Sequence, residues 1–382
     1  MALKLSARGD IPPFIVMDVL RAANERAAAG EDVLHLELGQ PETPAPPAVL
    51  KAVKQALDRE AIGYTDAMGR VALRRRIAEH YRHSYGQDVD PQRIMVTTGS
   101  SAGFLLSFLA AFNPGDKVAL AAPGYPAYRN ILRALDIEPV LVSAGAEERF
   151  QPSVELLEAL EVDLDGLILA SPSNPAGTML DGAALEKLVS YCKGKGIRLI
   201  SDEIYHGITF GTEAKTALEY SDDAFVINSF SKYFSMTGWR LGWMVLPADM
   251  CRPQECLGQN LFISPPTLSQ IAGEAVFDCY EVLEEYVERY ARNREILLNE
   301  LPGAGFGELA PADGGFYIYA DIGHRTNDSQ DFCQKMLAET GVAATPGVDF
   351  DPYNGNRFMR FSFAGSEKTM LQAVKRLRNW RR

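Results

Sequence analysis

Short, nearly continuous apolar runs alternate with segments of helical spacing through the middle of this chain. The runs RIMVTT (93–98), KVALAA (117–122), GLILAS (166–171), IRLIS (197–201), AFVINS (224–229) and LGWMVL (241–246) read as strands, with helical patterns between several of them at 100–112, 125–135 and 182–194. Strands alternating with helices predict parallel βαβ units, and strands without polar alternation predict a sheet covered on both faces. Ligands of such sheets gather beyond the carboxyl ends of the strands. Polar clusters fall at those ends: GSSAG after 98, SPSNPAG after 170, SDEIYHG after 200 and SFSK after 228.

The C-terminal third changes character. A long helical stretch (267–300) leads through LPGAGFGELAPADGG into FYIYADI, followed by a helix at 328–340, a strand RFMRFSFA (357–364) and a closing basic helix. That pattern predicts a smaller α+β domain, against which the N-terminal segment containing LELGQPETPAPP packs. The expected division is a large domain over 46–283 and a small domain built from 1–45 and 284–382. There is no internal repeat and no low-complexity tract.

With 382 residues the chain is too long for one small core. Its 47% hydrophobic and 23% charged residues are ordinary for a globular protein. A net charge of −12 argues against nonspecific binding to nucleic acid or an anionic membrane. Five cysteines, an odd number without a C-x-x-C pair, fit reduced thiols in the cytoplasm better than a disulfide framework. The N-terminus MALKLSARGDIPP lacks the apolar stretch of a signal peptide, and no run reaches the ~18 residues of a membrane span. His80 and His83, on ALRRRIAEHYRHSYG, have no partner ligands and read as a surface helix face rather than a metal site.

The strand-end clusters carry the candidate chemistry. TTGSSAGF puts small residues between a strand and a helix, where free N–H groups and the helix dipole favour a phosphate. It lacks the Walker lysine and the G-x-G-x-x-G spacing, so a nucleotide site is not indicated. Asn174 could aim its amide at a ligand. Asp202 either caps a following helix or points its charge into a site. Each cluster alone is equally an ordinary turn; together they lie at one edge of one inferred sheet.

The segment SFSKYFSMTGWRLG (229–242) resembles the lysine-attachment signature of class I and II aminotransferases, the pyridoxal-phosphate enzymes of fold type I in the aspartate aminotransferase superfamily. Ser229 three residues before Lys232, Ser231 just before it and Arg240 eight after it all match, and the other clusters follow in the family's order from about Pro12 to Arg360. The resemblance implies an α/β fold, a mostly parallel seven-stranded sheet between helices plus a smaller α+β domain.

It also implies roles. Lys232 would be the Schiff-base lysine, its amine kept neutral by nearby cations and a dry site. Arg240 and Ser229, with Ser100, Ser101 and Ala102, would clamp the cofactor phosphate. Asp202 would pair with the pyridine nitrogen and keep the ring an electron acceptor, while Glu203 points elsewhere. Asn174 and Tyr205 would bond the phenolic oxygen and Tyr125 would stack on the ring. Arg360, with Gly39 and Asn174 nearby, would grip the substrate α-carboxylate. Tyr64 would reach the phosphate of a neighbouring subunit, making a homodimer with shared sites. The implied activity is ping-pong transfer of an amino group from an L-amino acid to a 2-oxo acid. A lyase of the same fold (carbon–sulfur β-lyase or aminocyclopropane-carboxylate synthase type) has the same motifs. A non-catalytic ligand-binding module of the kind that carries an appended DNA-binding domain is not expected, since only about ten residues precede the matched region and the acidic balance disfavours DNA. No second arginine is evident for a distal carboxylate; IPPFIVMDV and Tyr125 suit neutral or aromatic side chains.

Overall fold

The computed structural model describes residues 3–59 and 61–380. Its centre is a seven-stranded sheet of β1 (Ile94–Thr97), β2 (Lys117–Ala122), β3 (Glu138–Ser143), β4 (Gly166–Ala170), β5 (Arg198–Asp202), β6 (Phe225–Ser229) and β7 (Gly242–Val245). The spatial order is β1-β7-β6-β5-β4-β2-β3. From β6 across to β3 every pairing is parallel, whereas β7 runs antiparallel to both of its neighbours.

Strand alternation divides the apolar residues between two cores. Leu167, Leu169, Leu199 and Val226 feed one face, and Ile168, Ile200, Phe225 and Ile227 the other. On this second face lie Phe104 and Phe108 of α4 (Ser100–Ala111), which follows α1 (Ile15–Ala28), α2 (Pro47–Arg59) and α3 (Val71–Tyr85) along the chain, and Tyr128 of α5 (Pro126–Ala134). Burial on both sides explains why the strands read as unbroken apolar runs. The edge strand β3 was not among the six runs read as strands. It is only half-buried and contains Pro139, which an edge position tolerates.

A four-stranded antiparallel sheet lies later in the chain: β8 (Glu308–Leu309), β9 (Tyr317–Asp321), β10 (Thr345–Pro346) and β11 (Phe358–Ser362), in the order β10-β11-β9-β8. Leu34–His35 pairs in parallel with Val342–Ala343, and the Ser362 N–H donates to the Leu36 carbonyl at 2.7 Å. The N-terminal segment is thereby stitched to C-terminal strands, and it carries α1 (Ile15–Ala28) with it.

Two expectations need correction. The helical stretch 267–300 is two helices, Thr267–Val276 and Tyr280–Glu300. At the break Phe277 turns its ring into the cluster of Phe230, Phe234 and Trp243. His80 is not on a solvent face: it is 8% exposed, its Nδ1 lies 2.8 Å from the Tyr280 hydroxyl, and burial pulls its pKa down to about 3. The amphipathic pattern identified the helix; packing of Tyr280 over it covered the imidazole. No described helix is long and apolar enough to cross a membrane.

Candidate active site

A cleft opens at the carboxyl ends of β4, β5 and β6, beside the N-terminus of α4. Ten of the residues singled out from sequence line it: Gly39, Ser100, Ser101, Tyr125, Asn174, Asp202, Tyr205, Lys232, Arg240 and Arg360.

Lys232 sits three residues past β6, in the turn between two sheet strands. Its Nζ donates to the Gly39 carbonyl at 2.5 Å and lies 5.8 Å from the ring centres of Tyr205 and Phe316. Burial, then the cations Arg360 and Arg240, pull its pKa down to about 8; Asp202 opposes them. A lysine so placed has a substantial neutral fraction near physiological pH.

Asp202 ends β5 on the same sheet face as Ile200. The Tyr128 hydroxyl donates to its Oδ2 and the Ile204 N–H to its Oδ1 at 3.0 Å. Burial raises its pKa to about 6, against those two bonds and the Lys232 charge. A cation set against this carboxylate would favour its ionised form.

At the head of α4, Gly99 adopts φ +81°, and a Cβ there would lie 2.6 Å from Arg240 Nη2. Glycine lets the guanidinium close over the helix N-terminus, where N–H groups and the macrodipole favour an anion. Arg240 is exposed, and its Nη1 donates to the Thr237 carbonyl at 3.0 Å.

Arg360 lies on β11 and is 2% exposed. Its Nη1 donates to Asn174 Oδ1 at 2.7 Å and its Nη2 to the Glu37 carbonyl at 2.5 Å. Its Cζ is 4.3 Å from the Tyr317 ring centre and 4.7 Å from that of Phe350. Nη2 also donates to Thr345 Oγ1 at 3.2 Å, so two rings and three acceptors fix the fork, while Nε is buried without a partner. Tyr205 and Tyr317 share a hydroxyl–hydroxyl bond of 2.8 Å. Gly39 is needed because a Cβ would come within 1.7 Å of the Tyr317 hydroxyl.

The family model described as aminotransferase class I and II matches residues 31–377. The chain belongs to this family. It is 45% identical to the valine–pyruvate aminotransferase of Mycobacterium tuberculosis, with 100% of this chain and 99% of that protein covered. It superposes on the structure of an aminotransferase from Mycobacterium tuberculosis with a TM-score of 0.97 at 45% identity, each chain covered to 99%. Against aspartate aminotransferase from Thermus thermophilus the TM-score is 0.92 at 28% identity, over 99% of this chain and 100% of that one. The chain is therefore a transaminating enzyme with the aspartate aminotransferase fold, and the lyase reading is not favoured.

Three residues singled out from sequence lie off the wall of the aminotransferase cleft. The Ser229 hydroxyl is engaged behind it, donating toward Ser231 Oγ (2.9 Å) and the Leu241 carbonyl (3.1 Å) while accepting the Ser231 N–H (3.1 Å); Ser231 lines the cleft instead. Ala102 is buried within α4, and its N–H donates to the Gly99 carbonyl at 3.2 Å. Tyr64 is 84% exposed and does not reach the cleft of its own chain.

Tyr128 and Tyr317 were missed by the sequence reading. Tyr128 had a signal, since it follows Tyr125 by three positions and so lies one turn along the same helix face. Tyr317 had none: its partner Tyr205 is 112 residues away.

Proposed function

We propose that this aminotransferase takes its amino group from an L-amino acid with an apolar side chain, valine among them, and passes it to a small 2-oxo acid such as pyruvate by a ping-pong route, with pyridoxal 5′-phosphate held in the cleft. The family depends on that cofactor. One observation carries the reading: Lys232 and Arg240 of one segment converge with Asp202 and Arg360 of two others on a single cleft.

The residues present fit the group. Lys232 would hold the aldehyde carbon. Arg240, Ser100, Ser101 and the α4 amides would hold the phosphate, within the cradle that Gly99 leaves open. Asp202 would face the ring nitrogen, Asn174 and Tyr205 the phenolic oxygen, and Tyr125 a ring face. When bound, the cofactor supplies an electron-accepting ring that stabilises the charge left on the substrate Cα after proton loss. Lys232 Nζ, with its pKa near 8, takes the proton from Cα and returns one, acting as base and then acid. Asp202, steadied by Tyr128, would set its negative charge against the ring nitrogen. Arg360, its fork held by Asn174, Glu37 and Thr345, receives the α-carboxylate.

The donor class rests on the remaining wall. Phe14, Val16, Met17 and Tyr125 present apolar and aromatic surface, and among the described lining residues Arg240 and Arg360 are the only arginines. A relative named valine–pyruvate aminotransferase supports the same choice. Borohydride reduction of cofactor-loaded protein, followed by peptide mass analysis, should place a pyridoxyl group on Lys232; a label on another lysine refutes the assignment. Single-turnover spectra with a panel of amino acids should rank apolar donors above acidic ones. Arg360→Ala strands a desolvated carboxylate, a loss of about 3–5 kcal/mol or roughly two to three and a half decades in kcat/KM. Amines lacking the carboxylate should lose far less; equal losses would make Arg360 structural.

The reading includes a cytoplasmic homodimer divided at residues 46 and 284 into the domains expected above. Five free cysteines suit a reducing compartment, and the pairing of Leu34–His35 with Val342–Ala343 supports the division. Ile62, Tyr64, Leu261 and Ile263 are exposed apolar or aromatic residues, and the Thr65 N–H to Ser264 Oγ bond (3.3 Å) brings their two segments together. A second subunit covering them would receive Tyr64 at its phosphate site. In a purified hybrid of Tyr64→Ala and Lys232→Ala subunits, a shared site puts both lesions in one place and leaves the other intact; activity no higher than that of an impaired Tyr64→Ala parent refutes it.

A further inference from the structure

We propose that Asp349 is a positioning residue which holds the apolar wall of the cleft in place, and thereby sets how well the enzyme separates bulky from small donor side chains. The inference rests on the apolar-donor reading above.

Helix α1 begins without a cap of its own: Phe14, at the N-cap position, offers no side-chain acceptor. The first N–H groups of a helix must find acceptors elsewhere. Here the Ile15 N–H donates to Asp349 Oδ1 at 3.1 Å and the Val16 N–H to Oδ2 at 3.0 Å, a bidentate cap supplied from more than 300 residues away. The carboxylate also faces the positive end of the helix dipole. Asp349 is 1% exposed, so water has little access to replace it. Within α1 only Val16 and Ala23 are buried, which leaves few apolar contacts to fix its first turn.

That turn is part of the site. Phe14, Val16 and Met17 line the cleft, and the Phe14 ring meets Tyr125 edge-on at 5.6 Å. The loop bearing Asp349 is itself anchored at two other places. Arg129 of α5 donates to the carbonyls of Asp349 (2.5 Å) and Phe350 (3.4 Å), and the Phe350 ring lies against the Arg360 guanidinium. One loop thus connects α1, the helix that Tyr125 begins and the arginine fork. Its backbone carbonyl serves Arg129 and its carboxylate caps α1, with the charges of Arg360 and Arg129 also acting on that carboxylate. Removing it frees the first turn of α1, while the hydrogen bonds of Lys232, Asp202 and Arg360 are made to other groups.

The test compares the cofactor-loaded enzyme with Asp349→Asn and Asp349→Ala, reading hydrogen exchange over residues 14–20 and kcat/KM for L-valine and L-alanine with one common acceptor. The alanine variant should exchange faster at the first turn of α1. Its valine-to-alanine preference should fall about fivefold to tenfold, chiefly through KM for valine, the scale on which one apolar contact discriminates. Asparagine keeps one acceptor and should fall between, and it decides the matter if the alanine variant does not accumulate folded. Unchanged exchange, or a preference ratio within about twofold of the parent because both donors fall together or neither does, overturns the proposal. The parent's own ranking of donors tests the donor reading; the change between parent and variants tests Asp349, whichever donor the parent prefers.

Discussion

Asp202 and Glu203 are adjacent carboxylates, both buried, yet they serve opposite sides of the sheet. Asp202 faces the cleft, where Tyr128, the Ile204 amide and Lys232 surround it. Glu203 is 1% exposed on the other side. Its Oε1 accepts from Ser201 Oγ (3.1 Å), Thr216 Oγ1 (3.1 Å) and the Ala217 N–H (2.9 Å). Its Oε2 lies 3.6 Å from His206 Nδ1. The His206 Nε2 donates to the Ser171 carbonyl, its Nδ1 lies 2.9 Å from the Tyr85 hydroxyl, and burial keeps the imidazole neutral. Glu203 Oε2 is buried without a hydrogen-bond partner, in line with a Glu203 pKa raised to about 8 and a His206 pKa lowered to about 4, both by burial. The difference teaches that burial and a perturbed pKa do not by themselves mark a catalytic group. What distinguishes Asp202 is access to a cleft with a lysine in it.

Breaking the cleft side should be costly to activity and cheap in stability. Lys232→Ala removes the proposed base and should lower transamination by about four decades, the upper range for a positioned general base, while the melting temperature holds. Asp202→Asn keeps the shape and removes the charge, and should cost about two to three decades in kcat. A smaller loss for Asp202→Asn than for Glu203→Gln would reverse the comparison.

Tyr128→Phe sharpens the contrast. Its hydroxyl donates to the ionised carboxylate and so lowers the Asp202 pKa. Deleting it should reduce kcat about tenfold, at the low end of a hydrogen bond to a charged group. The acid limb of the kcat profile should also move to higher pH, because the carboxylate then ionises later. An unmoved limb would mean that Tyr128 only packs.

The smallest effect on activity belongs to Glu203→Gln, about threefold or less for a group remote from the reacting atoms. Its signature lies in stability against pH. Folded Glu203 holds its proton up to about 8 against an ordinary 4.5, so the stability it contributes is complete below 4.5 and declines as pH rises toward 8. His206 and His80, kept neutral down to about 4 and about 3, act in the other direction and below their ordinary 6.5. Between pH ~6.5 and ~8 the parent should therefore lose on the order of 2 kcal/mol relative to Glu203→Gln in denaturant titrations. Parallel stability curves in that window would show that Glu203 is ionised throughout.

The sequence by itself determined the layered α/β core, the edge where ligands gather and most of the residues in the cleft. Continuous apolar runs encode strands buried on both faces, and Lys232, Asp202 and Asn174 follow such runs directly, so local order along the chain placed them. Arg360 was legible too, through the family resemblance of RFMRFSFA. Tertiary structure alone decided the supporting contacts. Tyr128 meets Asp202 across 74 residues, Tyr205 meets Tyr317 across 112 and Asp349 meets Ile15 across 334. It also turned Ser231 rather than Ser229 to the cleft, folded Phe277 inward and covered His80. Periodicity reports which face of an element is apolar, through the geometry of a single turn or pleat. Which polar atoms then meet depends on how separate elements pack, and no local pattern carries that information.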